Sequence, residues 1–235
     1  MKMKHTMVGS GLALVGALAL SASTANAQNL LVNGSFENAG GFTANPITPA
    51  GVNAGWASFG SSQSDMSASP DYPQDGSYAL LALNGPGNNW NPQGAYQIVS
   101  GITAGQTYSL SAFYLRDTAL TGTYGTPIAL QLGFGNFVGS TWTIVGSSTT
   151  WGFGPVDGAI PSPDTWYQGS LTATAPAGAA DAVAYLFFMD NGQTATDAVY
   201  FDNASLTAVP EPSSLAILGM ALAGLPVYLR NRRKA

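Results

Sequence analysis

The sequence from residue 28 to residue 209 predicts an all-β sandwich, and three observations carry that expectation. Apolar side chains alternate at period two in residues 107–116, where Tyr108, Leu110, Ala112 and Tyr114 share one face. Ile128, Leu130, Leu132 and Phe134 repeat the alternation. Clusters of Gly, Pro, Asn and Asp punctuate such runs at short spacing, and no useful length of this window follows the helical period of about 3.6 residues.

In chain order, residues 29–37 (NLLVNGSFE) open with a short apolar run, expected as a first strand, and close on an Asn-Gly turn. Residues 43–69 read as a Gly/Pro/Ser-rich loop region carrying Trp56. Strands are expected at 78–83, after the turn Gln74-Asp75-Gly76, and at 96–102. The alternating strands 107–116 and 128–134 follow, and residues 135–163 mix strand and loop. A strand at 166–175 ends at Pro176. Residues 182–189 are apolar on both faces, as expected of a central strand between layers, and 199–206 closes the domain.

Both flanks carry export signals. Lys2 and Lys4 form a charged start, residues 12–20 (LALVGALAL) an apolar core, and Ala25-Asn26-Ala27 a small-residue site at which signal peptidase would cut after Ala27. At the other end, Pro210-Glu211-Pro212 precedes an apolar run at 213–229 and the cations Arg230, Arg232, Arg233 and Lys234. Seventeen apolar residues rising ~1.5 Å each cover about 25 Å, enough to cross a ~30 Å hydrocarbon core with local thinning. A transmembrane helix is the expected form, because lipid offers an unpaired amide no partner, and the cations hold its end in the cytoplasm. The expected organisation is a signal peptide at 1–27, a β-sandwich ectodomain at 28–209 and a tail at 210–235.

The tail VPEPSSLAILGMALAGLPVYLRNRRKA resembles the PEP-CTERM sorting signal. The resemblance implies a transient anchor in the cytoplasmic membrane, recognised at Pro210, Glu211 and Pro212 by a membrane-embedded exosortase of exopolysaccharide-producing Gram-negative bacteria. A permanent single-pass anchor would share the apolar run and the cations but would not call for the two prolines, which keep the boundary extended and open to a peptidase. The protein is then exported, first as a membrane-anchored precursor and afterwards at the cell surface or in the extracellular matrix.

Residues 28–209 hold one cation, Arg116, against eleven carboxylates, a net charge of −10. Such a body excludes nucleic acid as a partner, since phosphate binding needs clustered cations; divalent cations and neutral polymers suit it better. The same window has no Cys, His or Lys, the single His5 lying in the leader. Ser-His-Asp triads, Cys-His pairs and imidazole zinc sites are therefore excluded. A pair of carboxylates could still serve a glycoside hydrolase, but no spacing among Asp65, Asp71, Asp117, Asp157 and Asp190 selects one.

The segments NGSFE, GSYALLAL, QIVSGITAGQTYSLSAFY, TWYQGSLTATAPAG and YFDNASL fall in the order seen in galactose-binding-like jelly rolls, which include many bacterial carbohydrate-binding modules. The resemblance implies a jelly-roll β-sandwich. It also implies a structural Ca²⁺ held by a glutamate after NGSF and an aspartate near the final strand, here Glu37 and Asp202, with Asp75 a weaker third candidate. Both residues also read as ordinary turn and strand-end carboxylates. The chain departs from lectin-like members in lacking their basic sugar contacts. Trp90, Trp142 and Trp151 lie in or beside Gly/Asn/Ser-rich segments, where aromatic faces can stack sugar rings or simply pack on a β surface. Trp56 and Trp166 read as core aromatics. The expectation is a non-enzymatic exported protein that binds or structures exopolysaccharide. The alternatives are a structural or adhesive surface protein without a sugar site, and a carboxylate-dependent glycoside hydrolase.

Overall fold

The computed structural model describes residues 28–38, 42–44, 55–60, 66–84, 92–117, 128–139, 141–145, 150–153, 163–189 and 197–210. The expected leader at 1–27, membrane span at 213–229 and basic cluster lie outside the described residues. Twelve strands run in chain order: β1 (Phe42–Ala44), β2 (Trp56–Phe59), β3 (Met66–Ser69), β4 (Ala79–Asn84), β5 (Pro92–Ser100), β6 (Thr107–Arg116), β7 (Ile128–Val138), β8 (Thr141–Ile144), β9 (Thr150–Phe153), β10 (Tyr167–Thr174), β11 (Asp181–Met189) and β12 (Asp197–Ala208). No helix occurs among the described residues.

Two sheets face each other. The larger has the order β1-β2-β5-β11-β7-β8, with β9 also pairing β7; the smaller has the order β10-β6-β12-β4-β3. Every pairing is antiparallel except β1 with β2. Strand β7 is long enough to share one edge between two short partners, β9 along Ala129–Leu132 and β8 along Gly135–Val138.

Period-two alternation explains the core. Ile128, Leu130, Leu132 and Phe134 of β7 and Ala182, Ala184, Leu186 and Phe188 of β11 point inward from the larger sheet. Tyr108, Leu110, Ala112 and Tyr114 of β6, with Val199 and Phe201 of β12, meet them from the smaller one. Each fully buried Leu or Phe contributes roughly 1.5–3 kcal/mol of burial. Trp56 is fully buried in this core and its Nε1 donates to the Asn33 carbonyl (3.1 Å). Trp166, by contrast, is only partly buried, against Leu115 and Tyr200 on the outer face of the smaller sheet.

Three segments depart from the sequence expectation. Residues 29–37 form a strap rather than a strand: Asn33 and Phe36 take positive φ (52° and 55°), which breaks an extended ladder. The Gln97 side chain holds the strap at both backbone atoms of Val32, accepting from its N–H (2.7 Å) and donating to its carbonyl (2.9 Å). The 43–69 loop region contains β1, β2 and β3, too short to show a period. Finally, β12 carries a bulge between Asp202 and Ser205. Its core-facing residues switch from Val199 and Phe201 to Ala204 and Leu206, and Asn203, at φ 47°, absorbs the extra residue.

Candidate functional sites: an uncharged furrow and a carboxylate clamp

The pleat that fills the core also decides what the larger sheet shows on its other face. Along β7 the outward residues are Ala129, Gln131, Gly133 and Gly135, all short or flexible, before Phe137. On one side they face Phe187, Tyr185 and Val183 of β11, in register with Ala129, Gln131 and Gly133. On the other side Ile144 and Trp142 of β8 stand opposite Gly135 and Phe137. The result is a furrow with β7 as its floor and an open depression of about 90 Å³ lined by Gln131, Gly133, Trp142, Ile144, Val183 and Tyr185.

Glycine is required at Gly135 of that floor, where a Cβ would run into the Thr143 carbonyl oxygen, and Gly133 leaves little room for more. A Cβ on Gly135 would lie 2.8 Å from Cζ2 of Trp142, and one on Gly133 would lie 3.1 Å from Cγ1 of Val183. Beyond Tyr185 the aromatic surface continues across β5 and β2. Phe59 stands edge-on to Tyr185 (5.4 Å, 83°) and Phe187 (6.0 Å, 66°), and Tyr96 lies tilted against Tyr185 at 5.6 Å. Phe59, Gln131, Phe137, Trp142 and Tyr185 are half-buried, while Ile144 is 59% exposed. In all seven strands of the sheet Asp181 is the one charged residue, and its Oδ2 accepts the Phe137 N–H (2.7 Å).

A second constellation lies where the bulge of β12 meets the turn before β4. Asp202 is fully buried; its Oδ2 accepts from the N–H groups of Gln74 (2.9 Å) and Asp75 (3.2 Å), and its Oδ1 from that of Asn203 (2.7 Å). Glu37, exposed at the end of the strap, accepts from Ser77 (2.9 Å) and Tyr78 (3.0 Å) at Oε1. The Asp75 carboxylate takes the amide between them, Gly76 (2.9 Å). Five consecutive backbone donors are thus satisfied by three carboxylates. Gly76 takes φ 69°, and a Cβ there would collide with the Glu37 carboxylate. Burial pushes Asp202 above its ordinary value of 3.8; its three backbone hydrogen bonds pull the other way, and the Glu37 charge pushes it further up.

Glu37 and Asp202 are therefore brought to one turn from opposite ends of the domain. Their charge and oxygen donors are of the kind Ca²⁺ takes, and no cationic side chain contributes to the Asp202 shift. Two carboxylates fall short of six to eight oxygens, and no group of three or more acidic, His or Cys side chains is gathered for a metal among the described residues. Backbone carbonyls and water would have to complete a shell.

Residues 208–234 match the PEP-CTERM protein-sorting motif, and residues 28–123 match a carbohydrate binding domain. The chain carries a PEP-CTERM sorting signal and a carbohydrate-binding domain. No curated protein matches it in sequence. Among solved structures, the domain is similar to the enzymatically active domain of tailspike protein 4 from bacteriophage CBA120. The identity is 15% and the TM-score 0.52, over 77% of this chain and 21% of that one. It is similar also to a candidate sugar-binding protein from Bacteroides thetaiotaomicron VPI-5482 (13% identity, TM-score 0.51, 77% of this chain and 100% of that one). A third is the carbohydrate-binding module TmCBM61 in complex with beta-1,4-galactotriose (14% identity, TM-score 0.45, 77% and 99%). At these identities the likeness to the first two shows the sandwich fold alone. The chain spans about a fifth of the tailspike protein's length.

Trp142, beyond the matched residues 28–123, lies on β8 in the furrow wall rather than on a loop. Trp151 belongs to β9, its backbone in register with Gln131, and Trp90 lies outside the described residues. Sequence reading missed Phe59, Tyr96, Gln131, Phe137 and Tyr185. The signal was present in β11, whose two apolar faces point one to the core and one to this surface. The PEP-CTERM match begins at Ala208, the last residue of β12. Val209 is still held, its N–H donating to Thr107 (2.8 Å) and its carbonyl accepting from the Gln106 amide (2.6 Å); Pro210 is exposed and has no N–H to continue the pairing.

Replacing Asp202 with Ala strands three backbone donors and is expected to cost about 2–3 kcal/mol in urea unfolding. The sign of its pH dependence follows from the upward shift. The raised group favours the folded state more as pH falls through its folded value, and fully so below its ordinary one. The stability of the parent relative to Asp202→Asn should therefore rise from neutral pH toward acid, and a fall on acidification would contradict the shift.

Proposed function

We propose that this is an exported, non-enzymatic protein that binds exopolysaccharide along the outer face of its larger sheet. The observation that carries the reading is the uncharged, glycine-floored aromatic furrow. Rings such as Trp142 and Tyr185 supply apolar faces on which pyranose C–H groups stack, and Gln131 supplies an amide for their hydroxyls. A depression of about 90 Å³ does not enclose a small molecule, for which ~300–1,000 Å³ is usual, but it suits a polymer lying across an open surface.

The non-enzymatic part rests on what the residues are committed to. The window 28–209 has no His, Cys or Lys, and the buried carboxylates Asp181 and Asp202 each accept backbone N–H groups. The sorting tail supports the rest: signal peptidase releases the leader, the membrane holds the precursor, and an exosortase cuts near Pro210-Glu211-Pro212. The product is freed to the cell surface or matrix.

Trp142→Ala is expected to weaken binding of the host's own exopolysaccharide about tenfold in isothermal titration, with the urea midpoint little changed. Parent protein that binds none of that polymer would sink the reading. For the tail, intact-mass analysis of the secreted form should place its C-terminus beside Pro210; a full-length mass in cells that contain the peptidase would rule processing out. We also propose that Glu37 and Asp202 hold a Ca²⁺ that ties the strap to the turn. EDTA should then lower the melting temperature and added Ca²⁺ restore it, whereas an unmoved melting curve removes the ion from the account.

A further inference from the structure

One atom of the aromatic surface is chemically out of place. Tyr96 is 7% exposed, and its hydroxyl is buried with no hydrogen-bond partner. The ring lies against Phe59 (6.2 Å) and Tyr185 (5.6 Å) on the outward side of β5. A buried hydroxyl left unpaired is a net cost to the folded state. Packing alone does not call for it, because the neighbouring positions Phe59 and Phe187 are filled by bare phenyl rings. Burial first, and the nearby Tyr185 second, push Tyr96 above its ordinary value of 10, so at neutral pH the group keeps its proton and can both donate and accept.

The charge pattern says what could meet it. The sheet offers no cation to pair with a sugar carboxylate, its one charged residue is itself an acid, and the whole domain stands at −10. An acidic polymer would be repelled and left without a counter-charge. We propose that the Tyr96 hydroxyl is a specificity-determining group of the furrow, one that hydrogen-bonds a hydroxyl of a neutral sugar; this rests on the polysaccharide-binding reading above. In the free domain the hydroxyl is covered, and the half-buried rings of Phe59 and Tyr185 flank it. Rotation of either ring opens the path, so the bond forms only with ligand in place.

The test compares parent, Tyr96→Phe and Trp142→Ala in titrations with a neutral β-glucan, a neutral xylan and polygalacturonate, alongside urea unfolding. Tyr96→Phe should unfold at or above the parent's midpoint and bind its neutral polymer about tenfold more weakly, and polygalacturonate should not bind. Unchanged affinity in Tyr96→Phe, with Trp142→Ala weakened, overturns the hydroxyl's role and leaves the furrow reading standing. A loss of stability with affinity intact overturns it too, since a structural water would then be the partner. Polygalacturonate bound as well as the neutral polymers overturns the neutral class. Parent that binds no polymer at all overturns both readings together.

Discussion

The two-residue pleat of β5, β7 and β11 is the constraint on which the rest of this domain depends. From Ala182 onward β11 is apolar on both sides, and only one side can close against the smaller sheet. Ala184, Leu186 and Phe188 go inward with Leu130, Leu132 and Phe134; Val183, Tyr185 and Phe187 are thereby committed to the other face. A slip of one residue in β11 would exchange the two sets, trading alanines and leucine for bulkier tyrosine in the core. The face on which each aromatic ring stands is thus fixed by core packing before any ligand arrives.

How much of this was legible in the sequence varies with how local the cause is. Strand β6 could be read to the residue, because Tyr108 to Tyr114 alternate without interruption. Strand β12 could not: its bulge shifts the core parity between Phe201 and Ala204, and a period count across YFDNASL averages over the break. The short strands β1 to β3 gain their place from pairing with neighbours distant in sequence, such as Ala57 with Tyr96, so a window of residues carries no trace of them. Glu37 and Asp202 are 165 residues apart in sequence, and only the resemblance linked them. The amides of residues 74–78 that hold both are a tertiary fact.

Electrostatics follow the same division of labour. A domain with one cation cannot neutralise its carboxylates by ion pairing, and it uses backbone donors instead. Asp202 takes three amides, Glu37 two and Asp181 one. Hydrogen bonds to a charged group are stronger than neutral ones, so these contacts fasten the strap, the turn and the β7–β8 corner without any salt bridge of their own. The furrow is left as a surface where charge is absent rather than balanced.

The position of the tail relative to that surface follows from a chain of hydrogen bonds. Val209 is bound to Thr107 and Gln106, and the Gln106 carbonyl accepts from the Ala175 N–H. A few residues on, Ala180 donates to Gly135 and to the Asn136 side chain, whose amide returns to Gly178. Gly135 and Phe137 are the open end of the furrow, beside Trp142 and Ile144. Val209, the last held residue before Pro210, is therefore linked by hydrogen bonds to the stretch of β7 that has the wall residues Trp142 and Ile144 beside it.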